Sequence, residues 1–431
     1  MPRKNEEYQM EIIHSLQPFT KLFLSVLCIK VIVQNYLDLR QKKSLQKNIQ
    51  NVPDYFVKII SLEEHQKATK YNLEKLSFGK FIRSLKLITL LLWTLGGGLE
   101  YLTFITTNTQ SDIIQSSNFF ILFILIETLI GIPISWYSTF KIEEKYGFNK
   151  TTYKVFVVDI VKSLILTLLL ALPLFIGILK ILELMGNLWW VYSWTAFIGF
   201  QIILLFVYPK FLAPIFNKFT PLENEELNHE IQRLLKKVDF SAKEIFQMDA
   251  SKRSTHGNAY FTGFGKNKRI VFFDTILNQM NNSEILAILA HELGHFKKKH
   301  ILKSIILSFF SSLIVFYLLS ISINNQDFLS GHGLNSNWPT ASIILFTMIF
   351  PVYSFLLAPI GNLLSRRNEF EADDFACLHT SAKDLQSALI KLYKFNYGAL
   401  MPDELYSKFY DSHPPAMIRI KNIEKDITSR T

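Results

Sequence analysis

The stretch Leu184–Pro209, LMGNLWWVYSWTAFIGFQIILLFVYP, contains no Asp, Glu, Lys or Arg. A helix needs about 20 mainly apolar residues to cross the hydrocarbon core of a bilayer, so this stretch predicts a transmembrane helix. The 431-residue chain is 49% hydrophobic and only 19% charged, and its charged residues are gathered in blocks between uncharged runs. This composition excludes a disordered or fibrous protein and indicates a multi-pass membrane protein.

Seven segments of the chain have the length and composition of membrane spans. Ser304–Gln326 and Phe328–Ser365, which includes one further span, contain no Asp, Glu, Lys or Arg apart from Asp327 between them. Several other spans carry isolated ionisable residues that must be paired or face a wet cavity, namely Glu100, Glu127, Asp159 and Lys162. Five spans lie in an N-terminal membrane region, residues 1–209, at about 19–37, 85–105, 119–137, 155–179 and 188–208, and spans six and seven lie in 301–365.

The loops between these spans alternate in their Lys and Arg content. Loops 38–84, 140–154 and 210–303 are basic, whereas 106–118 and 324–340 contain neither residue. Because basic loops stay on the cytoplasmic side, this alternation predicts an outside N-terminus and a cytoplasmic C-terminus. The formal net charge of +10 is then explained by loops that face anionic lipid, and we expect the lipid bilayer, not nucleic acid, as a partner.

Two segments remain for the cytoplasmic side, 210–300 and 366–431. The first contains a helical pattern of apolar residues at Glu223–Val238, which predicts an amphipathic helix. Two aromatic and β-branched runs, Asn258–Phe264 and Arg269–Asp274, are joined by a glycine-containing turn and predict a β-hairpin. Asn281 and Glu284 resemble a capping box that opens the next helix.

That helix carries the motif His291-Glu292-Leu293-Gly294-His295. The spacing of four residues places both imidazoles on one face of the helix, where they can bind a tetrahedral Zn²⁺ ion. Glu292 would lie beside the open coordination position and act as the base for the attacking water. The motif therefore predicts a zinc hydrolase.

A catalytic zinc site needs a third protein ligand. The sequence Asn368-Glu-Phe-Glu-Ala-Asp-Asp374 directly follows the last span and is expected at the same membrane face as the two histidines. The spacing leaves both Glu369 and Glu371 open as the third ligand. Glu369 and Asp373 are one turn apart, so they could serve as a ligand and as a partner of a zinc-binding histidine.

With these motifs in place, the chain resembles the integral-membrane CAAX prenyl protease family, type I, over nearly its whole length. The segments that carry the resemblance are Phe140–Lys150, Tyr208–Pro214, Lys252–Phe261, His291–His295, Ser365–Asp373 and Ser412–Pro415. The resemblance implies a mainly α, polytopic fold with seven transmembrane helices around a large water-filled chamber. It also implies a cytoplasmic zinc-metalloprotease domain, 210–300, that contains a small β-hairpin or sheet and is completed by 366–431.

The resemblance further assigns roles to individual residues. It implies one Zn²⁺ per chain held by His291, His295 and Glu369, with Asp373 behind a zinc-binding histidine. His413 and Arg419 match the family's HPPxxxR pattern and would stabilise the oxyanion of the tetrahedral intermediate. The strand residues Asn258, Ala259 and Tyr260 would form an edge that pairs with the substrate backbone.

We therefore expect a membrane zinc endopeptidase that removes the last three residues of prenylated CAAX proteins or peptides and is monomeric. Its location would be the endoplasmic reticulum membrane in a eukaryote or the inner membrane in a bacterium. A membrane-protein quality-control endopeptidase without a prenylated substrate is the alternative within proteases. A transporter or channel with an inactive protease domain is the alternative of another class.

Overall fold

The computed structural model describes residues 16–107, 111–242, 244–262 and 268–430, with side chains up to residue 425. Within these residues the chain is mainly helical and contains one four-stranded sheet. From the N-terminus the helices are α1 (Pro18–Asn48), α2 (Leu62–Trp93), α3 (Gly98–Thr106), α4 (Asp112–Tyr137), α5 (Tyr153–Leu184), α6 (Trp189–Val207), α7 (Glu225–Lys237), α8 (Asp274–Leu277), α9 (Asn282–Lys297), α10 (His300–Ile323), α11 (Gln326–Gly331), α12 (Pro339–Tyr353), α13 (Ala358–His379), α14 (Ala382–Phe395), α15 (Glu404–Tyr410) and α16 (Ala416–Arg430). The π-helical turns Ser138–Glu143 and Tyr208–Leu212, each followed by a short α-helical turn at Glu144–Tyr146 and Ala213–Phe216 respectively, extend α4 and α6.

In the described part of the chain, five helical segments are long and apolar enough to cross a membrane, and seven are if each of two bent pairs counts as one span. The five contain α1, α4, α5, α6 and α10, and the pairs are α2 with α3 and α12 with α13. The α2–α3 pair is bent by 52° next to Gly97, whose φ of +75° is a left-handed conformation that favours glycine. The protein is therefore a mainly helical membrane protein, as predicted.

Glu100, Glu127, Asp159 and Lys162, the ionisable residues singled out within the predicted spans, each have a polar partner. Glu127 accepts a hydrogen bond of 2.6 Å from the indole of Trp93, and Glu100 accepts two from the backbone at 335 and 336. Asp159 forms a two-point ion pair with Arg253, at 2.8 and 3.0 Å. Lys162 donates to the carbonyl oxygen of Ile215 at 2.8 Å. These four side chains are thus stabilised by hydrogen bonds or ion pairs, which an ionisable group inside a membrane needs.

The sheet has the strand order β1 (Phe219–Pro221), β2 (Glu244–Met248), β4 (Arg269–Phe273), β3 (Ala259–Thr262). Strands β3 and β4 pair antiparallel, with Ala259 opposite Phe272, so the predicted hairpin is confirmed. Its turn, 263–267, lies outside the described residues. Strand β2 pairs with β4 in parallel, which leaves β3 at the edge of the sheet.

The sheet and its helices share one apolar core. The predicted amphipathic helix forms as α7 and buries Leu227, Ile231, Leu234 and Leu235 in that core. The buried face of α9 and residues of α14 complete it. Because α9 is held from several sides, the side chains on its polar face have fixed positions.

A second apolar cluster joins the membrane helices. It contains residues from α1, α3, α4, α10 and α12, with Phe23, Leu99 and Phe119 fully buried. Elsewhere between these helices the structure has cavities with polar walls, including one of about 570 Å³ between α1, α2, α4 and α12. The membrane region therefore encloses polar space in addition to a packed core.

Candidate active site

Helix α9 presents the HExxH motif from a well-anchored start. Asn281 and Glu284 form the predicted capping box, with reciprocal hydrogen bonds of 2.9 and 3.0 Å. The Glu284 carboxylate, which is 2% exposed, also accepts hydrogen bonds of 2.7 Å from Lys391 and Ser387 of α14. The first turn of α9 is thus tied both to its own backbone and to a neighbouring helix.

Helix α13 packs closely across α9 at Gly294. A Cβ atom at this position would lie 2.9 Å from the Cα of Ala372, a distance that real Cβ atoms do not reach. Only glycine permits this approach. The glycine within HELGH therefore lets α13 bring its acidic residues up to the two histidines.

Three side chains converge where α9 and α13 meet. The Nε2 atoms of His291 and His295 are 3.2 Å apart, and the Glu369 carboxylate oxygens lie 3.5 and 3.3 Å from them respectively. Ligand atoms about 2.0–2.2 Å from a tetrahedral ion would be roughly 3.3–3.6 Å apart, so the set has the spacing of a metal site. Two imidazoles and one carboxylate also match a zinc site that keeps one position open.

Glu371, the other acidic residue left open by the sequence, points elsewhere. Its Oε2 lies 3.1 Å from the Nε2 of His300 and 4.0 Å from the Nζ of Lys303. Glu371 is exposed, whereas Glu369 is only 2% exposed. The structure thus brings Glu369, and not Glu371, to both histidines.

Asp373 lies behind His291 and is completely buried. Its Oδ1 is 2.8 Å from the Nδ1 of His291, and Arg419 binds both carboxylate oxygens, at 2.6 and 2.9 Å. Burial alone would lower the pKa of His291, but the carboxylates of Asp373 and Glu369 raise it to about 9. If Nδ1 donates to Asp373, Nε2 is left free to bind a metal.

The predicted oxyanion residues differ in their surroundings. His413 is mainly exposed, with its Nδ1 2.8 Å from Glu369 Oε2. Arg419 is buried and mostly occupied by Asp373, although its Nη1 lies 3.4 Å from the same Glu369 oxygen. Only His413 therefore has a side chain that is open to an incoming ligand.

Glu292 lines a separate cavity of about 470 Å³ together with His295 and Tyr260. It is half-buried, and no residue in the described part of the chain hydrogen bonds to its carboxylate. Strand β3 borders this cavity from the edge of the sheet through Tyr260 and Phe261, whereas the Ala259 side chain is buried in the core and Asn258 is exposed just before the strand. The predicted base and the predicted substrate strand thus face the same space.

The start of strand β3 is fixed by a set of residues that the sequence alone did not single out. Asn396, at the end of α14, accepts hydrogen bonds at its Oδ1 from the Gly257 amide, at 3.1 Å, and lies 3.2 Å from His256 Nδ1. The His256 ring stacks on Phe148 at 4.1 Å, and its Nε2 lies 3.4 Å from Glu143. Segments 140–150 and 252–261, which carry the family resemblance, contain these residues. The sequence does not show that the two segments contact each other.

His300 was also missed, although it lies five residues beyond His295. Its Nδ1 is 3.1 Å from the Nδ1 of His295, and its Nε2 contacts Glu371. Both histidines of the motif therefore have a polar neighbour behind them.

Comparisons with known proteins agree with this architecture. Residues 41–218 match the family model of the CAAX prenyl protease N-terminal region with five membrane helices, and residues 221–427 match that of peptidase family M48. The mouse protein CAAX prenyl protease 1 homolog is 34% identical over 91% of this chain and 93% of its own. The probable CAAX prenyl protease 1 of Schizosaccharomyces pombe is 36% identical over 90% of this chain and 85% of its own.

A solved structure has the same fold. The crystal structure of S. mikatae Ste24p superposes with a TM-score of 0.87 at 30% identity and covers 94% of this chain and 99% of that one. Membership of peptidase family M48 implies a metal-dependent peptidase, and the His291, His295 and Glu369 group fits a metal. The chain therefore belongs to the CAAX prenyl protease family within peptidase family M48, as a multi-span membrane metallopeptidase.

Proposed function

We propose that this protein is a zinc endopeptidase that removes the C-terminal three residues of prenylated CAAX substrates. The observation that carries the proposal is the convergence of His291, His295 and Glu369 beside an edge strand. The same chain contains five to seven helical segments that can span a membrane, among the residues that the structure describes. Relatives whose names describe CAAX prenyl proteases support the substrate class.

His291, His295 and Glu369 would hold the zinc ion, and Asp373 would orient His291. When bound, zinc supplies a Lewis acid that polarises the scissile carbonyl and lowers the pKa of a coordinated water. Arg419 would act as a positioning residue, because its guanidinium is bound to both oxygens of Asp373.

Glu292 would act as the general base. Its carboxylate is free of hydrogen-bond partners in the described part of the chain and lies in the cavity that strand β3 borders. It would accept the proton of the attacking water and return it to the amine of the leaving peptide.

His413 would stabilise the negative charge that develops on the carbonyl oxygen. Its ring is 62% exposed and lies next to Glu369, so it can donate to a substrate oxygen there. Strand β3 and its start, with Asn258, Ala259 and Tyr260, would hold the substrate backbone along the free edge of the sheet. Such pairing fixes the scissile bond without strong sequence selection.

We also infer the setting of the enzyme. The alternation of basic loops supports a cytoplasmic active site and C-terminus and an outside N-terminus. The relatives from animals, plants and fungi support the endoplasmic reticulum membrane, and a single chain provides every residue of the proposed site, which supports a monomer.

The test compares detergent-purified wild type with Glu292→Ala. Zinc content is determined in both, each is incubated with a farnesylated CAAX peptide, and the products are identified by mass spectrometry. We expect stoichiometric zinc in both proteins and release of the C-terminal tripeptide by wild type only. Zinc without cleavage of this peptide would favour a quality-control substrate, and zinc without cleavage of any substrate would favour an inactive relic. Absence of zinc from both would refute the ligand assignment.

A further inference from the structure

Two cavities between the helices meet at Arg83. The first, about 540 Å³, begins at His413, the neighbour of Glu369, and extends to Lys75 and Arg83. The second, about 570 Å³, continues from Arg83 into the membrane region. We call these two cavities together the cationic passage.

The passage is rich in positive charge. Five cationic side chains line it, and three acidic ones, Asp38, Glu127 and Asp411, oppose them. The cationic side chains are Lys30, Lys75, Lys80, Arg83 and Lys86. In the described part of the chain, no carboxylate lies within 4.0 Å of any of these four lysines, although the charge of Lys80 acts on Asp38 and that of Lys75 on Glu143. The lining of the passage therefore carries more positive than negative charge.

Lys75 lines the same cavity as His413, and its only hydrogen bond to a described residue is to a neutral hydroxyl. Its Nζ donates to the Tyr71 hydroxyl at 3.2 Å, and that hydroxyl donates in turn to Glu143. Arg83 forms an ion pair with Asp38, and the second oxygen of that carboxylate has no hydrogen-bond partner among the described residues. Lys75 and Arg83 thus retain donors that can bind a ligand.

The cavity on the Glu292 side of the metal ligands has a different character. Its walls include Phe261, Phe296, Ile301 and Ile305. The surface of this cavity is mainly apolar, although Glu292 and several Ser and His side chains also line it. The metal ligands therefore lie between a mainly apolar cavity without Lys or Arg in its walls and the cationic passage. A prenylated peptide has the same polarity, since its lipid lies on one side of the scissile bond and its free carboxylate on the other.

We propose that the cationic passage binds the C-terminal carboxylate of the peptide substrate, with Lys75 and Arg83 as its contacts. This proposal rests on the proposed function and specifies its substrate recognition. Three extended residues span at most about 10 Å, and a cavity of 540 Å³ is within the range of roughly 300–1,000 Å³ typical of ligand sites. The released tripeptide therefore fits between His413 and the cationic wall.

Acidic residues of the passage do not cancel this attraction. Asp38 is bound to Arg83, and Glu127 accepts the hydrogen bond from Trp93. Asp411 has the positive charge of Arg366 nearby. Each acid thus has its own partner within the protein.

The test uses two farnesylated CAAX peptides that are identical except that one ends in a carboxylate and the other in an amide. Wild type is expected to cleave the acid with a kcat/KM about tenfold higher, the size of one charge-assisted hydrogen bond. Lys75→Gln should lose most of this preference, because it lowers kcat/KM for the peptide that ends in a carboxylate and leaves kcat/KM for the amide peptide unchanged. Asp38→Asn, which releases Arg83, should increase the preference.

Lys70→Gln is the matched control, because Lys70 is exposed on the same helix as Lys75 and lines neither cavity. It should cleave both peptides as wild type does. Equal cleavage of acid and amide by wild type would overturn the carboxylate proposal while the proposed function stands. Loss of both activities in Lys75→Gln would show a structural role and overturn it too. Cleavage of neither peptide by wild type would refute the proposed function and this proposal with it.

Discussion

The Nδ1 atom of His291 lies 2.8 Å from Oδ1 of Asp373, and Asp373 is completely buried. The same carboxylate is bound at both oxygens by Arg419. This buried series of hydrogen-bonded groups fixes the orientation of the His291 ring and determines which of its nitrogens carries the proton. The Nε2 atom of His291, which faces Glu369, is therefore oriented by residues that lie 82 and 128 positions further along the chain.

This relationship predicts the effect of Asp373→Asn. The amide cannot accept two charge-assisted hydrogen bonds and leaves Arg419 incompletely paired, so metal affinity should fall by about 10–100-fold. The measurement is the metal content of purified protein during titration with a chelator. Asp374→Asn, at the exposed neighbouring acid, should behave like wild type. Equal affinity in the two variants would contradict the role of Asp373.

The two candidate ligands can be separated directly. Glu369→Ala should abolish stoichiometric metal binding, because it removes one of the three converging groups. Glu371→Ala should retain the metal, since Glu371 contacts His300 and Lys303 instead. Elemental analysis of both purified variants shows which of the two residues is needed for metal binding. Metal in Glu369→Ala but not in Glu371→Ala would reverse the assignment.

Asn396 should control substrate binding from a distance. Asn396→Ala removes hydrogen bonds to both the amide and the carbonyl of Gly257, just before strand β3. Loss of two such bonds, about 1 kcal/mol each, should loosen the strand and raise KM about tenfold with unchanged metal content. Asn278→Ala, at an exposed position, is the control for steady-state kinetics. A fall in metal content, or an unchanged KM, would be inconsistent with this role.

The pair Glu284 and Lys391 should dominate the stability of the HExxH helix. Lys391→Met leaves the buried Glu284 carboxylate without its cation, which should cost about 3–5 kcal/mol. Thermal unfolding of the detergent-solubilised protein is the measurement. Lys408→Met, which breaks an exposed pair with Glu404, should cost less than about 1 kcal/mol. Similar losses in the two variants would refute the prediction.

The same pair predicts an acid-dependent loss of stability. Burial opposes ionisation of Glu284, but Lys391 and Ser387 outweigh it and lower its pKa. A lowered pKa contributes stability above the unfolded-state value of about 4.3, and this contribution is lost as the pH falls through the folded-state value. The wild type should therefore lose more stability in acid than Glu284→Gln/Lys391→Met, as melting curves across that pH range would show.

Several features were determined by the sequence alone because they depend on local chemistry. The uncharged stretch Leu184–Pro209 predicted a span, since a bilayer imposes a minimum apolar length on any helix that crosses it. The spacing of His291 and His295 placed both rings on one helix face, and Asn281 with Glu284 predicted the helix start. Each of these follows from residues within a few turns of one another.

Contacts between distant segments were decided only by the tertiary structure. The choice of Glu369 over Glu371 near the histidines depends on the rotation of α13 against α9, which the close approach at Gly294 sets. The positions of Arg419 behind Asp373 and of Asn396 beside Gly257 depend on how the C-terminal helices pack. Residue spacing along the chain carries no information about such packing, because a side chain's neighbours across a helix interface are set by the fold as a whole.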